Sequence, residues 1–214
     1  MYVRNRMTVN PYTITADAPI NEAIEMMREK GLKRIPVVSG ERVVGMLTNT
    51  DIYKVSPTKT TTLSIFEINY LLSKTKVRDA MSDEVIAVSP DALLEEAALL
   101  MRENKIGTLA VVKEDKLVGI ITESDIFDAF IDLLGFRDQG SRIAIDAEDV
   151  PGAIANIGEI FQSFGANITH IVAYRGSGGR SDVVIRTNAV NTESIEKSLG
   201  EHKYIVTDVS HTVE

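Results

Sequence analysis

Cysteine and tryptophan are absent from the 214-residue chain, and histidine occurs only three times. Without cysteine there is no disulfide and no thiol nucleophile, and so few histidines argue against a histidine-rich metal site. No run approaches the roughly 18 apolar residues of a membrane span. The N-terminal residues include two arginines but no apolar stretch after them, unlike a signal peptide. We therefore expect a cytoplasmic protein without a membrane partner.

The net charge of −8 argues against non-specific binding of nucleic acid. Its distribution is uneven: residues 1–54 carry +2 and residues 55–76 another +2, whereas residues 77–135 carry −8 and residues 136–214 carry −4. No helix-turn-helix signal or basic face supports DNA binding either. With 44% hydrophobic and 25% charged residues, the composition is that of a protein that buries a core.

An internal repeat covers the first half of the chain. At a constant offset of 74, residues 3–52 and 77–126 share 17 identities in 50 positions without a gap. Such self-similarity indicates two copies of one structural unit. Each copy ends in a related motif: Gly45–Asp51 reads Gly-Met-Leu-Thr-Asn-Thr-Asp, and Gly119–Asp125 reads Gly-Ile-Ile-Thr-Glu-Ser-Asp.

Two interpretations of the Thr-x-x-Asp ending remain open. Thr48 and Thr122 are suited to cap a helix, with Asp51 and Asp125 completing a reciprocal capping arrangement. The same groups suit a ligand, because free backbone N–H groups bind phosphate and a carboxylate accepts hydrogen bonds from ribose hydroxyls. The occurrence of the motif twice within a long repeat favours a ligand site.

Each copy predicts the element order β-α-β-β-α. Apolar residues at helical spacing follow Asp17 and Asp91, where we expect the first helices to open. The predicted strands are Thr13–Thr15, Ile35–Val38 and Val43–Leu47 in the first copy, and Ala87–Ser89, Leu109–Val112 and Leu117–Ile121 in the second.

This unit, opening on Met-Thr or Met-Ser and closing on Gly-x-x-Thr-x-x-Asp, resembles the cystathionine-β-synthase (CBS) domain. The resemblance implies a tandem pair, with repeats at 1–55 and 77–135 and a linker at 56–76. Such pairs form a disc with two related clefts for adenosine-containing ligands. The implied ligands are AMP, ADP or ATP, or S-adenosylmethionine. By position, the first cleft would use Thr13, Thr15, Arg34, Ile35, Pro36, Thr48 and Asp51, and the second Ala87, Ser89, Thr108, Leu109, Ala110, Thr122 and Asp125.

The two implied clefts differ in sequence. The second copy has Ala110 where the first has Pro36, and Thr108 where the first has Arg34. Lys33 and Arg34 lie on the more basic repeat, which predicts that the first cleft prefers phosphorylated ligands. The linker begins as a polar loop and becomes apolar over Leu63–Leu72, which predicts a short helix that covers the core or forms a lid over a cleft.

The pattern changes after the glycines at 135 and 140. Strands are predicted at Ser141–Asp146, Asn167–Ala173, Ser181–Thr187 and Tyr204–Val209. The first helix has Pro151 in its first turn and Ile154, Ile157, Phe161 and Phe164 on one face. The second spans Asn191–Leu199 and is stopped by Gly200. The order β-α-β-β-α-β is ferredoxin-like, so the fold class is mixed α+β and α/β.

Asp-Val-Pro-Gly before a helix and Gly-Ala-Asn-Ile after it resemble the ACT domain, a small-ligand regulatory module, over residues 141–210. The resemblance implies an amino-acid or other effector where two ACT domains pair, near Asp149, Gly152, Ala153, Asn167 and Ile168. The alternative is that the Pro-Gly pair only shapes a turn and Asn167 only bonds to backbone.

Two CBS repeats followed by an ACT domain resemble the bacterial acetoin-utilisation accessory proteins. This implies a non-enzymatic regulator, and no catalytic residue is predicted. The alternatives are an enzyme or accessory subunit of acetoin or amino-acid metabolism, and a structural oligomerisation module without a ligand. We expect a homodimer, because a ferredoxin-like sheet leaves edge strands unpaired.

Overall fold

The computed structural model describes residues 1–55 and 64–212 and divides into two compact units, Met1–Phe127 and Asp128–Glu214. The predicted loop at 56–62 lies outside the described residues. Two 3₁₀ turns, Val3–Asn5 and Val77–Asp79, begin the two repeats. No helix among the described residues has the length and apolar character needed to cross a bilayer.

The first repeat contains β1 (Thr8–Val9), β2 (Ile14–Thr15), α1 (Ile20–Lys30), β3 (Arg34–Ser39), β4 (Arg42–Thr48) and α2 (Asn49–Val55). After α3 (Ile65–Lys74), the second contains β5 (Ala87–Val88), α4 (Leu94–Asn104), β6 (Thr108–Lys113), β7 (Lys116–Thr122) and α5 (Glu123–Leu133). Each repeat has a parallel strand pair followed by an antiparallel hairpin. The predicted strand and helix order is therefore present in both copies.

The first helices begin later than predicted. Helix α1 starts at Ile20 with Pro19 as its N-cap, and α4 starts at Leu94. Asp17 and Asp91 instead form ion pairs, Asp17 with Lys76 and Arg78 and Asp91 with Arg4. The aspartates thus join segments of the two repeats instead of opening helices. The predicted apolar stripes are nevertheless buried at Ile20, Ala23 and Met27, and at Leu94, Ala97 and Met101.

The two repeats exchange their N-terminal segments. Val3 N donates to Ala92 O at 2.9 Å, and at the equivalent place Val77 N donates to Ala18 O at 2.9 Å. Strand β1 of the first repeat pairs antiparallel with β7 of the second, so the second sheet has the order β1-β7-β6-β5. The reciprocal contact is the Met46–Ser82 bridge beside the β2-β3-β4 sheet.

This exchange explains the glycine of each repeated motif. A Cβ on Gly45 would lie 2.9 Å from the carbonyl oxygen of Ser82, and one on Gly119 would lie 2.8 Å from that of Thr8. The backbone of the other repeat therefore passes directly over each glycine, and a side chain there would displace it. The motif begins with glycine because two chain segments cross at that point.

Helix α3 corresponds to the predicted linker helix. Ser64 caps it in a reciprocal arrangement with Glu67, whose backbone N–H donates to Ser64 Oγ at 3.3 Å. Leu72 packs against the core of the first repeat, and Ile20 N donates to Thr75 O at 2.9 Å. The helix therefore covers the first-repeat core, as one of the two linker interpretations proposed.

The second unit carries a four-stranded antiparallel sheet of β8 (Gly140–Glu148), β9 (Ile168–Arg175), β10 (Arg180–Thr187) and β11 (Ile205–Thr212). Its order is β11-β8-β10-β9, the ferredoxin-like arrangement predicted from the sequence. Helices α6 (Ala153–Ser163) and α7 (Glu193–Glu201) pack on one face around Ile143, Ile145, Phe161, Ile185 and Leu199.

Three details of this unit differ from prediction. Pro151 precedes α6, because Gly152, in a left-handed conformation at φ 92°, is the N-cap. Gly200 lies within the last turn of α7, which ends at Glu201. On α6, Ile157 and Phe161 are buried with Ile160, whereas Ile154 in its first turn and Phe164, the residue after the helix, are about half exposed. They lie at the two ends of the predicted face, where the core does not reach.

Candidate functional site

The Thr-x-x-Asp motif is a reciprocal cap in both repeats. Asp51 Oδ2 accepts hydrogen bonds from Thr48 N at 3.1 Å and Thr48 Oγ1 at 2.6 Å, and Asp51 N donates back to Thr48 Oγ1 at 3.3 Å. In the second repeat, Asp125 Oδ2 accepts from Thr122 N at 2.8 Å and from Thr122 Oγ1 at 2.7 Å. The capping interpretation is therefore correct for both copies. A ligand that binds at the motif must do so while these capping hydrogen bonds are in place.

The electrostatics of Asp51 favour its charged form. Burial alone raises the pKa of this carboxyl, but hydrogen bonds from Thr48 and Lys54, with the Lys54 charge, outweigh burial and lower the pKa below its ordinary value. Lys54 Nζ donates to Asp51 Oδ1 at 3.0 Å. The residue equivalent to Lys54 in the second repeat is Asp128. The second motif therefore has no such lysine, and Asp125 Oδ1 receives no hydrogen bond from the described part of the chain.

A cavity of about 510 Å³ adjoins the first motif. Its size lies within the range of roughly 300–1,000 Å³ typical of small-molecule sites. Both repeats line it: Lys33, Arg34, Met46, Thr48, Asn49, Thr50 and Asp51 from the first, and Ser82, Glu84, Val85, Ile86, Lys105, Ile106, Gly107 and Thr108 from the second. Four residues assigned to clefts from sequence therefore share one cavity: Arg34, Thr48, Asp51 and Thr108.

Arg34 lies where the repeats meet. A Cβ on Gly107 would lie 3.3 Å from Arg34 Nη1 and 2.9 Å from Glu123 Oε2. Gly107, which occupies the position equivalent to Lys33, thus leaves room for the guanidinium. With Lys33 and Lys105 also in the lining, three cationic side chains border one cavity, opposed by the carboxylates of Asp51 and Glu84.

Several predicted residues do not line this cavity. Thr13 and Thr15 line a separate concavity of about 370 Å³ with Asp17 and Glu22. The structure therefore does not place these threonines in the same cavity as Asp51. The reason is that Thr15 pairs with Val38 on β3, four residues along the strand from Arg34. The lining also lacks Ala87, Ser89, Thr122 and Asp125.

Four predicted ligand contacts lie on strands β3 and β6 and are core residues. Ile35, Leu109 and Ala110 are fully buried, and Pro36 is buried with them. Their side chains pack inside the repeats, so a ligand in the cavity could reach these residues only through the backbone. A backbone contact between these four residues and a ligand stays a prediction.

Sequence reasoning missed Lys105 and the segment from Ser82 to Ile86. Lys105 terminates α4 in a left-handed conformation at φ 54°, which directs the chain back into the cavity lining. Ser82 reaches the site because the repeats exchange segments. The first repeat carries Thr8 at the position equivalent to Ser82. The repeat alignment therefore identifies Ser82 as a repeated position, but it does not predict that this segment crosses to the other repeat.

The five residues assigned to an effector lie at two ends of the second unit. The backbone N–H of Asp149 donates to Gly179 O at 2.9 Å beside the β9–β10 hairpin, and Gly152 and Ala153 follow it. Ile168 pairs with Thr187, which pairs with Ser141 at the start of β8. Because β8 and its neighbours run the length of the sheet, one small effector cannot touch both groups within a single chain.

Comparison with known proteins follows the division seen in the fold. The CBS-domain family model matches residues 3–57 and 77–132, and the ACT-domain family model matches residues 141–204. A CBS-domain-containing protein of Bacillus subtilis, YhcV, is 32% identical over 124 residues, covering 58% of this chain and 81% of YhcV. Inosine-5′-monophosphate dehydrogenase of Korarchaeum cryptofilum is 31% identical over 150 residues, but the match spans only 27% of that enzyme and 70% of this chain.

Solved structures are similar to the CBS part. AcuB of Vibrio cholerae, provisionally assigned to acetoin utilization, has a TM-score of 0.53 and 30% identity, covering 64% of this chain and 95% of AcuB. CBSX2, solved in complex with AMP, has a TM-score of 0.52 and 28% identity, covering 62% of this chain and 97% of CBSX2. The chain therefore belongs to the CBS-domain family, with two CBS domains followed by a C-terminal ACT domain.

Proposed function

We propose that the chain is a regulatory protein whose CBS pair binds an adenine nucleotide in the 510 Å³ cavity. The observation that carries this proposal is the convergence of Arg34, Lys33 and Lys105 with Thr48 and Asp51 in one lining. The first three suit phosphate oxygens, and the last two suit ribose hydroxyls. The AMP complex of the similar protein CBSX2 supports the same ligand class.

The remaining lining residues provide an apolar surface for the base of a nucleotide. Met46, Val85, Ile86 and Ile106 add apolar surface against which an adenine ring can pack. The lowered pKa of Asp51 keeps its carboxyl group ionised at neutral pH, the form in which both oxygens only accept hydrogen bonds and bind ribose hydroxyls most strongly. The proposal requires Asp51 to bind ribose through lone pairs that Thr48 and Lys54 leave free.

The test is calorimetric titration of AMP and ATP into wild type and Arg34→Ala at two salt concentrations. Because ATP carries more charge, we expect the variant to lose more affinity for ATP than for AMP, and its salt dependence to flatten. Arg42→Ala is the matched control, since Arg42 is an exposed arginine at the start of β4 outside the lining. Equal losses for both nucleotides, or none, contradict a phosphate contact by Arg34.

A regulator and an enzyme differ in what happens to the bound nucleotide. The chain matches only fragments of the enzymes it resembles, and it carries no cysteine nucleophile. We expect AMP and ATP to be recovered intact after prolonged incubation with the purified protein, as measured by chromatography. Turnover that survives repurification and disappears in Arg34→Ala would establish the enzyme alternative.

The ACT domain is proposed to add a second input through a homodimer. Asp149, Gly152 and Ala153 lie at one end of the sheet and Asn167 and Ile168 at the other, so an effector that touches both groups needs two chains. We expect an amino-acid effector, found by thermal-shift screening of the twenty amino acids, to lose binding in Asn167→Ala and in any variant that is monomeric. An effector that binds a monomer with unchanged affinity would show that the two groups do not form one site.

A further inference from the structure

A cavity of about 200 Å³ lies on the sheet of the second unit and shares no residue with the proposed nucleotide cavity. Its lining residues on β8 and β10 alternate with core residues such as Ile143, Val183 and Ile185. They therefore occupy the face opposite α6 and α7. The lining comprises Leu134, Arg142, His170, Val172, Tyr174, Val184 and Arg186.

Arg186 is the unusual member of this lining. It is only 9% exposed, and its guanidinium carbon lies 5.5 Å from the centre of the Phe136 ring. Within residues 1–55 and 64–212, this guanidinium neither pairs with a carboxylate nor donates a hydrogen bond. Burying a charge without a partner is costly, and native proteins rarely leave one in that state.

The charged side chains around Arg186 do not balance its positive charge. Arg142 is directly opposite Arg186 in the β8–β10 register, and like charges facing each other across strands are destabilising. Arg142 has its own partner, since its Nη1 donates to Asp208 Oδ2 at 2.7 Å. Burial, and then the Arg142 charge, lower the pKa of Arg186, with Asp138 acting in the opposite direction. Asp138 itself faces His170 at 3.4 Å.

The lining also indicates the size and the apolar character of an anion that could bind in this cavity. Leu134, Val172 and Val184 provide apolar walls, and Tyr174 adds a phenol. No aspartate or glutamate belongs to the lining among the described residues, so an ammonium group would find no carboxylate there, whereas the nearby arginines would repel it. The volume is below the roughly 300–1,000 Å³ of drug-sized pockets, which limits the ligand to a small molecule.

We propose that this cavity binds a small monocarboxylate with a short apolar tail and no amino group, whose carboxylate is held by Arg186. A planar guanidinium donates two parallel hydrogen bonds to one carboxylate, and the walls then cover the tail. The site is separate from the amino-acid effector proposed for the Pro-Gly turn, because Asp149 and Gly152 are absent from the lining.

The experiment uses the full chain and 3-methylbutanoate as the probe, followed by calorimetry and by NMR of the Val184 and Leu134 methyl groups. We expect saturable binding of 3-methylbutanoate, with at least tenfold weaker binding of the neutral isostere 3-methylbutanamide and of leucine. The amide tests the need for the negative charge, and leucine tests the exclusion of an ammonium group.

Arg186→Met should reduce the affinity for 3-methylbutanoate at least tenfold while the melting temperature of the free protein stays unchanged or rises. A rise is expected because the variant removes an unpaired buried charge. Arg180→Met is the matched control: Arg180 lies on the same strand but donates to Asp146 Oδ1 at 2.7 Å outside the cavity. The control should be less stable and bind the probe normally.

Three outcomes would overturn the proposal. One is binding of the amide as tightly as the carboxylate, which would show that charge is not recognised. Another is a lower melting temperature for Arg186→Met with unchanged probe affinity, which would make Arg186 a packing residue alone. Loss of self-association in Arg186→Met without any effect on the probe would also overturn it, because Arg186 would then serve a contact between copies of the chain.

Discussion

At the residue scale, the Asp51 carboxylate caps a helix and also borders the 510 Å³ cavity in which we propose that a nucleotide binds. Its pKa is lowered in the folded protein, so its contribution to stability is fully present above the unfolded value of about 3.9. That contribution is lost as the pH falls through the lower folded value. Asp51→Asn should therefore destabilise the protein at about pH 6 and progressively less towards about pH 3.

Urea unfolding of wild type and variant at both pH values measures this difference. Asp115→Asn, in the exposed β6–β7 turn, is the control and should show no comparable effect at either pH. A destabilisation by Asp51→Asn that is the same at both pH values would show that the lost interaction does not depend on ionisation.

Gly45 and Gly119 give a second prediction at this scale. An alanine at either position would place its Cβ within 3 Å of a carbonyl oxygen of the other repeat. We expect each substitution to cost about 1–3 kcal/mol, the usual range for overpacking. Gly158→Ala is the contrasting control, since a Cβ there meets nothing within 4 Å and an alanine inside α6 should stabilise by up to about 1 kcal/mol.

Denaturant unfolding measures all three glycine variants. Full stability in both Gly45→Ala and Gly119→Ala would mean that the crossing segments move away without cost. A loss in one variant only would show that the two crossings, although equivalent in the repeat, are not equally tight.

The sequence predicted elements better than their connections. The order β-α-β-β-α followed from apolar spacing within each copy, and the motif residues followed from the repeat. The pairing of β1 with β7 did not, because a repeat is equally compatible with two self-contained sheets and with two that exchange strands. Arg186 was missed for a related reason: its lack of a partner depends on what faces it across the sheet, and local spacing carries no such information.

Strand β9 gives the prediction that belongs to the scale of elements. It is an edge strand of the second-unit sheet, and Ile171 on it is 39% exposed. Ile154 on α6 and Phe164, which follows α6, are exposed to a larger extent. Unpaired edges with exposed apolar residues are usually covered by a partner. We expect a homodimer that uses this edge, so Ile171→Glu should yield monomers of 23.5 kDa.

Light scattering at micromolar concentration distinguishes the two states. Thr212→Glu on β11, the opposite edge, is the matched control and should leave the dimer intact. Wild type that is already monomeric would contradict the homodimer. A dimer that survives Ile171→Glu but dissociates in the control would move the interface to β11.

At the scale of the whole molecule, the two repeats are alike in fold and unlike in charge. The first repeat carries +2 over residues 1–54 and the second −8 over residues 77–135. The same difference appears inside the motifs, since Lys54 holds Asp51 while the second repeat has Asp128 at that position. A phosphate should therefore find a favourable potential beside the first motif and an unfavourable one beside the second.

The asymmetry predicts that AMP binds once per chain and at the first motif. Calorimetric titration should give a stoichiometry near one, and Asp51→Ala should lower AMP affinity by roughly tenfold or more, in line with the loss of a charge-assisted hydrogen bond of about 1.5–3 kcal/mol. Asp125→Ala, which removes the same cap from the second repeat, should lower the melting temperature but leave AMP affinity unchanged. Adenosine lacks the phosphate and should therefore distinguish the first motif from the second much less than AMP does. Binding of two adenosine molecules per chain would not contradict this prediction. Two equivalent AMP sites, or equal loss of affinity in the two aspartate variants, would show that charge does not distinguish the repeats.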